Sequence, residues 1–219
     1  MAELTHYLLA ALVLLAVVAP PAGTEVRVPA APLVPVAQRT IVAFGDSLTA
    51  GLGVPAAESY PALLQARLSA EGYHYRVVNA GVSGDTTAGG LRRVDWALRL
   101  NPNIVILELG VNDALRGQDL AAVSVNLDRL VERFQSAGAR VLLAGMRLPP
   151  NYGARYGTEL QGVYKEVARR RGAALMPFFL DGVGGDPRLN QPDGVHPTAE
   201  GYRLIVDRLW PHLRPLLTR

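Results

Sequence analysis

The amino-acid sequence predicts a single α/β domain, in which a mostly parallel sheet of five strands lies between two helix layers as a three-layer α/β/α sandwich. Two observations support this prediction. Short apolar runs alternate with longer amphipathic segments, and the connections between them are short. The run from Ile104 to Leu107 is apolar at every position, which is typical of a strand buried between two helix layers.

The predicted elements alternate regularly along the chain. The apolar runs predict strands at 40–44, 75–79, 103–109, 140–145 and 173–176. The amphipathic segments between them predict helices at 60–71, 86–100, 120–137 and 158–171, and a last helix follows at 198–213. With 219 residues, 49% of them hydrophobic, the chain is long enough to bury one substantial core.

The composition argues against several classes of site. Lysine and arginine total 22 against 19 aspartates and glutamates, and these charges are scattered along the chain. The triplet Arg169-Arg170-Arg171 lies near the end of a predicted helix, where cations suit the helix dipole. A solvated helix end therefore explains it better than a nucleic-acid patch, and we expect no nucleic-acid partner. The absence of cysteine excludes disulfides, thiolate catalysis and cysteine-based zinc sites.

The N-terminal residues differ in composition from the rest. Residues 1–23 form an apolar leader, uninterrupted from Tyr7 to Ala19, which is short for a bilayer span of roughly 20 residues but fits a secretory signal. Glu3 and the lack of an early lysine or arginine leave a retained N-terminal helix as the alternative. Residues 24–38 predict a Pro-rich linker, and 39–219 the domain. We expect an exported protein, periplasmic or extracellular, with no stable membrane span in its mature form.

Polar residues follow the predicted strands at the edge where ligands bind in open parallel sheets. The four segments concerned are 45–47, 79–85, 110–113 and, before the last helix, 193–197. Each has an ordinary structural explanation taken alone, because Asp and Ser cap helices, Gly permits a positive φ and Asp folds Asx-turns. Their joint occurrence favours a catalytic site.

Ser47, His196 and Asp193 supply the three roles of serine hydrolysis. A serine hydroxyl is a poor nucleophile at neutral pH and needs a base to take its proton. Of the four histidines, only His196 lies in a loop with a carboxylate, Asp193, three residues before it. With Asp193 accepting from one ring nitrogen, the other is free to accept the proton of Ser47. We therefore expect Ser47 as nucleophile, His196 as base and Asp193 as its orienting group.

Three groups are candidates for stabilising the oxyanion. A backbone N–H at Ser47, near a helix start, and another at Gly81, where no side chain blocks close approach, would supply two donors. The side-chain amide of Asn112 would supply a third. The sequence contains no His-Glu-x-x-His, phosphate-loop or Gly-x-Ser-x-Gly motif that would favour a different chemistry.

The four segments resemble the four blocks of the SGNH (GDSL) hydrolases. They are Gly-Asp-Ser-Leu at 45–48, the segment 79–85 with Gly81, Gly-Val-Asn-Asp at 110–113 and Asp-Gly-Val-His at 193–196, in the order of that family. The stretches 79–90, 104–116 and 147–153 are most similar to its bacterial secreted arylesterases and acyl-CoA thioesterases/lysophospholipases. The resemblance implies a flavodoxin-like sandwich, the roles given above, no metal or cofactor, and small-molecule acyl esters or thioesters as substrates.

An acyl chain would need an apolar groove beside the serine. The candidates for its lining are Val82, Leu115, Pro149, Tyr152 and Phe178. Each of them has core or loop packing as its alternative explanation. Three functional classes stay open on the sequence: an esterase or thioesterase acting on acyl chains, a carbohydrate O-acetyl esterase with a polar groove, and a noncatalytic binding module that keeps the fold.

Overall fold

The structure is a computed structural model that describes residues 38–219. The predicted leader and all of the linker except Gln38 lie outside the described residues. The strands are β1 (Arg39–Gly45), β2 (Tyr75–Gly81), β3 (Ile104–Glu108), β4 (Arg140–Ala144) and β5 (Ala174–Met176). The helices are α1 (Ser47–Ala50), α2 (Tyr60–Ala70), α3 (Thr87–Leu98), α4 (Val111–Leu115), α5 (Leu120–Ser136), α6 (Ala154–Arg171) and α7 (Ala199–Leu213). Short 3₁₀ turns lie at Ala56–Glu58, Pro150–Tyr152 and Arg214–Leu216.

The five strands form one sheet in the order β2-β1-β3-β4-β5, and every neighbouring pair is parallel. The chain passes from β1 outward to β2 and then returns to the other side of β1 for β3, so the direction of the crossovers reverses there. Ligands bind at such a switch point, outside the carboxyl ends of the strands. The loops after β1 and β3 therefore meet where a site is expected.

Helices cover the sheet in two groups, which confirms the predicted three-layer α/β/α fold. Helix α5 contacts α3 and α6 in one layer, and α2 contacts α7 in the other. Phe44 of β1 packs edge-on against Phe134 of α5 at 5.3 Å between ring centroids. Tyr60 of α2 packs in the same way against Phe179 at 5.2 Å. Every residue of β3 is buried, as its unbroken apolar run indicates.

Several element boundaries differ from the prediction, most of them by one or two residues. Helix α6 begins at Ala154, ahead of the predicted start at 158. Strand β2 continues past Asn79 to Gly81, because Ala80 and Gly81 pair in register with Phe44 and Gly45 of β1. Gly81 therefore belongs to the strand and not to the loop after it. No helix within residues 38–219 has the length and apolar character needed to cross a bilayer.

Candidate active site

Ser47 is the first residue of α1, and Asp46 directly before it caps that helix. Asp46 Oδ1 accepts a hydrogen bond from the backbone N–H of Leu48 at 3.0 Å. The capping role that the sequence leaves open between these two residues thus belongs to Asp46. The hydroxyl of Ser47 is left available for another partner.

The structure brings Ser47, His196 and Asp193 into one chain of hydrogen bonds. Ser47 Oγ lies 2.9 Å from His196 Nε2, although the two residues are 149 positions apart. His196 Nδ1 lies 2.6 Å from Asp193 Oδ2. With Asp193 accepting from the Nδ1 hydrogen, Nε2 is left as the acceptor facing the serine hydroxyl. This is the arrangement that serine activation requires.

Asp193 also folds its own loop. Its Oδ1 accepts from the backbone N–H groups of Val195 at 2.9 Å and His196 at 3.0 Å. Partial burial acts to raise the pKa of Asp193, but these two bonds and the bond from the His196 ring lower that pKa to about 2. The Asp193 side chain therefore forms an Asx-turn through Oδ1 and contacts the His196 ring through Oδ2.

Gln191 fastens the histidine loop to the segment after α1. The loop is closed by a bridge between Asn190 and Pro197, and the backbone N–H of Gln191 donates to the carbonyl of His196 at 2.7 Å. The Gln191 side-chain amide donates to the carbonyl of Leu52 at 2.8 Å and to that of Pro197 at 2.9 Å. These contacts join the part of the chain that carries the base to the part that carries Ser47.

Gly81 does not hold a free donor, which corrects the prediction from the sequence. Its N–H already donates to Asn79 Oδ1 at 2.9 Å. A Cβ built at Gly81 would lie 2.1 Å from the backbone nitrogen of Ala50, so the missing side chain serves the close packing of β2 against α1. Gly81 is also not among the residues that line the cavity beside Ser47.

Gly84, three residues later, lies where Gly81 was expected. It lines the cavity with Ser47 and Asn112, and its φ of +77° is a conformation that glycine adopts without strain. Its carbonyl accepts from Arg116 Nη2 at 3.0 Å, whereas its N–H donates to no acceptor among residues 38–219. Gly84 is therefore the glycine whose N–H is available at the cavity.

The other two predicted donors lie at the same cavity. The N–H of Ser47 has no acceptor within the described part of the chain. Asn112 donates one amide hydrogen to Asp46 Oδ2 at 2.9 Å, which leaves its second amide hydrogen for a ligand. The N-cap of the helix that carries Asn112 is Gly110, so neither Asn112 nor Asp113 has that role.

Comparison with known families gives a match to the GDSL-like lipase/acylhydrolase family over residues 43–204. The chain belongs to this family. It is therefore a serine-type carboxylic ester hydrolase, and the match includes all four of the segments found after the strands and before the last helix.

Among the relatives of this GDSL-like hydrolase is the esterase TesA of Pseudomonas aeruginosa, 47% identical over 83% of this chain and 90% of the relative. The thioesterase 1/protease 1/lysophospholipase L1 of Escherichia coli is 36% identical over 81% of this chain and 85% of that protein. A crystal structure of TesA has a TM-score of 0.80 with 47% identity, covering 82% of this chain and 100% of the solved one.

Two buried carboxyl groups lie at the end of the sheet strands next to the site of this GDSL-like hydrolase, Asp46 before Ser47 and Glu108 at the end of β3. Burial raises the pKa of Asp46 to about 6, against the lowering effect of the Leu48 N–H and the Glu108 side chain. Burial, followed by the nearby charge of Asp46, raises the pKa of Glu108 well above its usual range. Glu108 is not among the residues predicted from the sequence, although a glutamate directly after the apolar run of β3 is a signal that indicates it.

Arg93 is a second site residue that was not predicted from the sequence. Its guanidinium donates to the carbonyl of Gly45 at 2.9 Å, to the carbonyl of Ala80 at 2.7 Å and to Asp85 Oδ2 at 2.7 Å. It also lies over the Phe44 ring, 3.8 Å from the centroid. Arg93 thereby ties together the ends of β1 and β2 and the loop that carries Gly84.

A cavity of about 700 Å³ opens beside Ser47. Its apolar lining includes Leu48, Leu115, Met146, Pro149, Phe178 and Leu180. Three of the five predicted groove residues are thus present, while Val82 and Tyr152 are not among the lining residues and are 46% and 37% exposed. Within residues 38–219, no group of three or more His, Asp or Glu side chains is arranged to hold a metal ion.

Proposed function

We propose that the chain hydrolyses acyl esters and thioesters through a covalent acyl-enzyme on Ser47. The observation that carries this proposal is the hydrogen-bond chain from Ser47 through His196 to Asp193, placed at a cavity of about 700 Å³ with a mainly apolar lining. The chain supplies a nucleophile, a base and an orienting group in one place, and the cavity supplies room for an acyl group.

The first half-reaction follows from these distances. Ser47 Oγ attacks the carbonyl carbon while His196 Nε2, 2.9 Å away, takes the hydroxyl proton. Asp193 stabilises the imidazolium, and the negative oxygen of the tetrahedral intermediate accepts from the N–H groups of Ser47 and Gly84 and from the Asn112 amide. The intermediate collapses, the leaving group receives the proton from His196, and the acyl group stays on Ser47.

Water completes the reaction. His196 takes a proton from a water molecule, whose oxygen attacks the acyl-enzyme, and the same donors stabilise the second tetrahedral intermediate. Collapse of this intermediate breaks the bond to Ser47 Oγ, which recovers its proton from His196. No step needs a group beyond these side chains, the two backbone donors and water.

The lining supports acyl chains as the group bound in the cavity. Leu115, Met146 and Phe178 offer apolar surface next to the nucleophile. The relative from Escherichia coli is named as a thioesterase and lysophospholipase, which supports acyl-CoA thioesters and lysophospholipids, together with aryl esters, as substrates to test. A carbohydrate O-acetyl esterase would need a groove with polar groups that hold a sugar, and this lining disfavours it.

A substrate series and one substitution test the proposal. Hydrolysis should extend along a chain-length series of p-nitrophenyl esters and to palmitoyl-CoA, and acetylated xylan should be a poor substrate. Ser47→Ala should abolish turnover and labelling by a fluorophosphonate probe, because the attacking oxygen is removed. Ser136→Ala, at the exposed end of α5, is the matched control and should retain both. Undiminished turnover in Ser47→Ala, or turnover of the acetylated sugar alone, would contradict the proposal.

We also propose that the protein is exported and that its apolar leader, which lies within residues 1–23, is cleaved on export. The support is the apolar run from Tyr7 to Ala19, which ends at two prolines followed by alanine and glycine. N-terminal sequencing of protein recovered from the periplasmic or extracellular fraction should find the leader removed. An intact Met1 in that fraction would contradict cleavage.

A further inference from the structure

Glu108 is fully buried beside the residues that carry the oxyanion donors, yet it belongs to neither the triad nor the donor set. It pairs in register with Gly45 of the neighbouring strand. A Cβ at Gly45 would lie 2.6 Å from Glu108 Oε2, so the carboxyl group occupies the space that a side chain at this position would need. This places it against the backbone that leads into Asp46.

The two oxygens of Glu108 have different surroundings. Oε2 accepts from the Thr49 hydroxyl at 2.8 Å and from the backbone N–H of Asp46 at 3.4 Å. Oε1 receives no donor from residues 38–219. An ionised carboxylate here would leave a buried charged oxygen without a donor, which is strongly unfavourable. A protonated carboxyl group needs an acceptor instead of a donor.

Asp46 supplies that acceptor. Glu108 Oε2 lies 3.4 Å from the Asp46 backbone nitrogen, and both carboxyl groups are fully buried. Two neighbouring carboxyl groups can share a hydrogen bond only if one of them carries a proton, and such a bond acts on the pKa of each. Asp46 already accepts from the Leu48 N–H and from the Asn112 amide, and these donors favour the charged form of Asp46. Burial raises the pKa of Glu108, and the nearby charge of Asp46 raises it further, so we assign the shared proton to Glu108.

We propose that Glu108 is a positioning residue whose protonated carboxyl group donates to the Asp46 carboxylate, and that Asp46 in turn holds the Asn112 amide toward the oxyanion. This inference rests on the proposed function, because it assigns Glu108 an effect on one of the donors named there. Glu108 does not touch the substrate; it acts through two hydrogen bonds, first to Asp46 and then to Asn112.

The groups around the pair are consistent with a single negative charge. Asp46 faces His196 and Asp85, of which His196 lowers its pKa and Asp85 raises it. The carboxyl of Glu108 faces three phenols from α2, α6 and α7 and the Thr49 hydroxyl of α1; the phenols are Tyr60, Tyr164 and Tyr202. Burial raises the pKa of all three phenols, so they stay neutral in the range where an esterase is assayed.

Two substitutions at Glu108 separate hydrogen bonding from packing. Glu108→Gln keeps one donor for Asp46 and one acceptor for Thr49, so kcat should stay within about 3-fold of wild type. Glu108→Met keeps about the same side-chain volume but removes the donor for Asp46 and the acceptor for Thr49. The kcat should therefore fall by about 10- to 100-fold with KM unchanged. The acidic limb of the kcat profile should also move to higher pH in the Met variant, because Asp46 loses a donor that lowers its pKa. The Gln variant should keep the wild-type limb.

A double-mutant cycle tests the route through Asn112. In an Asn112→Ala background, Glu108→Met should reduce kcat by less than about 3-fold, because the group that Glu108 positions is gone. Tyr202→Phe removes another buried hydroxyl, one that has no partner among the described residues, and as the packing control it should leave kcat unchanged. If the kcat losses of Glu108→Met and Asn112→Ala instead multiply in the double variant, the inference is overturned.

Infrared spectroscopy at pH 7 provides a readout that does not depend on the Met variant folding. The wild-type protein should show the C=O band of a protonated carboxyl group, and Glu108→Gln should lack it. The inference is overturned if this band is absent from the wild type or if the Gln variant is as impaired as the Met variant. By contrast, a wild-type protein that hydrolyses no ester and takes up no fluorophosphonate would overturn the proposed function.

Discussion

Two aspartates of the same site have pKa values that are displaced in opposite directions. Asp193 lies on the histidine loop with 48% of its side chain exposed, and Asp46 is fully buried at the end of β1. Burial acts to raise both pKa values. Donors from Val195 and His196 nevertheless bring the pKa of Asp193 to about 2, whereas burial prevails at Asp46 and brings its pKa to about 6.

The difference shows that surroundings decide how much charge each part of the site carries. Near solvent, Asp193 accepts three hydrogen bonds and stays ionised while the imidazolium forms beside it. In the interior, Asp46 and Glu108 lie close together, and the pair carries one negative charge where two ionised groups would carry two. The same substitution in the two regions should therefore have different effects.

The largest effect is expected from Asp193→Asn. An asparagine can donate its amide hydrogens toward His196, which favours the wrong imidazole tautomer and leaves the imidazolium without a counter-charge. We expect kcat for p-nitrophenyl butyrate to fall by about 10³- to 10⁴-fold at every pH tested. A loss below about 10-fold would mean that Asp193 only shapes its loop.

Asp46→Asn should have a smaller effect and a different pH dependence. Asparagine caps helices as well as aspartate does, so α1 should be retained. Leu48 and Asn112 donate to different oxygens of Asp46, so an asparagine, which has one oxygen, keeps only one of these bonds in place. We expect a loss of about 10- to 100-fold in kcat. The wild-type kcat should decrease on acidification through about pH 6, where Asp46 gains a proton, and the variant should lack that step. An unchanged step would assign it to another group.

The two glycines at the end of β2 and in the loop after it offer a third comparison. Gly84→Ala forces a side chain into a φ of +77° without a close contact, so its N–H should shift and kcat should fall by about 10-fold. Gly81→Ala brings a Cβ to 2.1 Å from the Ala50 backbone and should chiefly lower the melting temperature. Thermal unfolding and kinetics of both variants check this, and the reverse pattern would restore Gly81 as the donor.

The smallest effect concerns stability. Unfolded Glu108 ionises above its ordinary pKa of 4.5, but the folded protein keeps its proton. For a raised pKa, the stability from this group is complete below the unfolded value and is lost as pH rises, by about 1.4 kcal/mol per pH unit until the folded pKa is reached. Glu108→Gln removes this loss. The free energy of unfolding of the variant should therefore rise relative to that of the wild type between about pH 5 and about pH 7. Urea unfolding of both proteins measures this difference. If their free energies of unfolding change equally with pH across that range, Glu108 is not protonated in the folded protein.

Much of the fold and of the triad could be predicted because the signals are local. The apolar run of β3 shows its burial on both faces directly, and the confirmed sheet has the predicted number of strands. The pairing of His196 with Asp193 could be predicted because the two residues are three apart in one loop. Ser47 could be placed beside them only because parallel strands end at one edge of the sheet.

The errors arose where tertiary contacts decide. Asn79 looked like the end of β2, but pairing with β1 extends the strand to Gly81, so the loop glycine at the cavity is Gly84. The start of α6 was missed because Gly157 lies in its first turn and a glycine there favours a loop. The roles of Arg93 and Glu108 depend on partners from other strands, which a linear pattern does not reveal.

The Gln191 contacts link the two chain segments that carry the triad: one segment carries Ser47, and the other carries His196 and Asp193. His196 and Asp193 share a loop, so a rigid displacement of that loop would preserve their 2.6 Å contact and change only the 2.9 Å distance from His196 Nε2 to Ser47 Oγ. Gln191 holds that loop to the carbonyl of Leu52, just beyond the helix that begins with Ser47. Activation of the serine thus depends on an interatomic distance that spans two chain segments, and Gln191, a side chain outside the triad, links those segments.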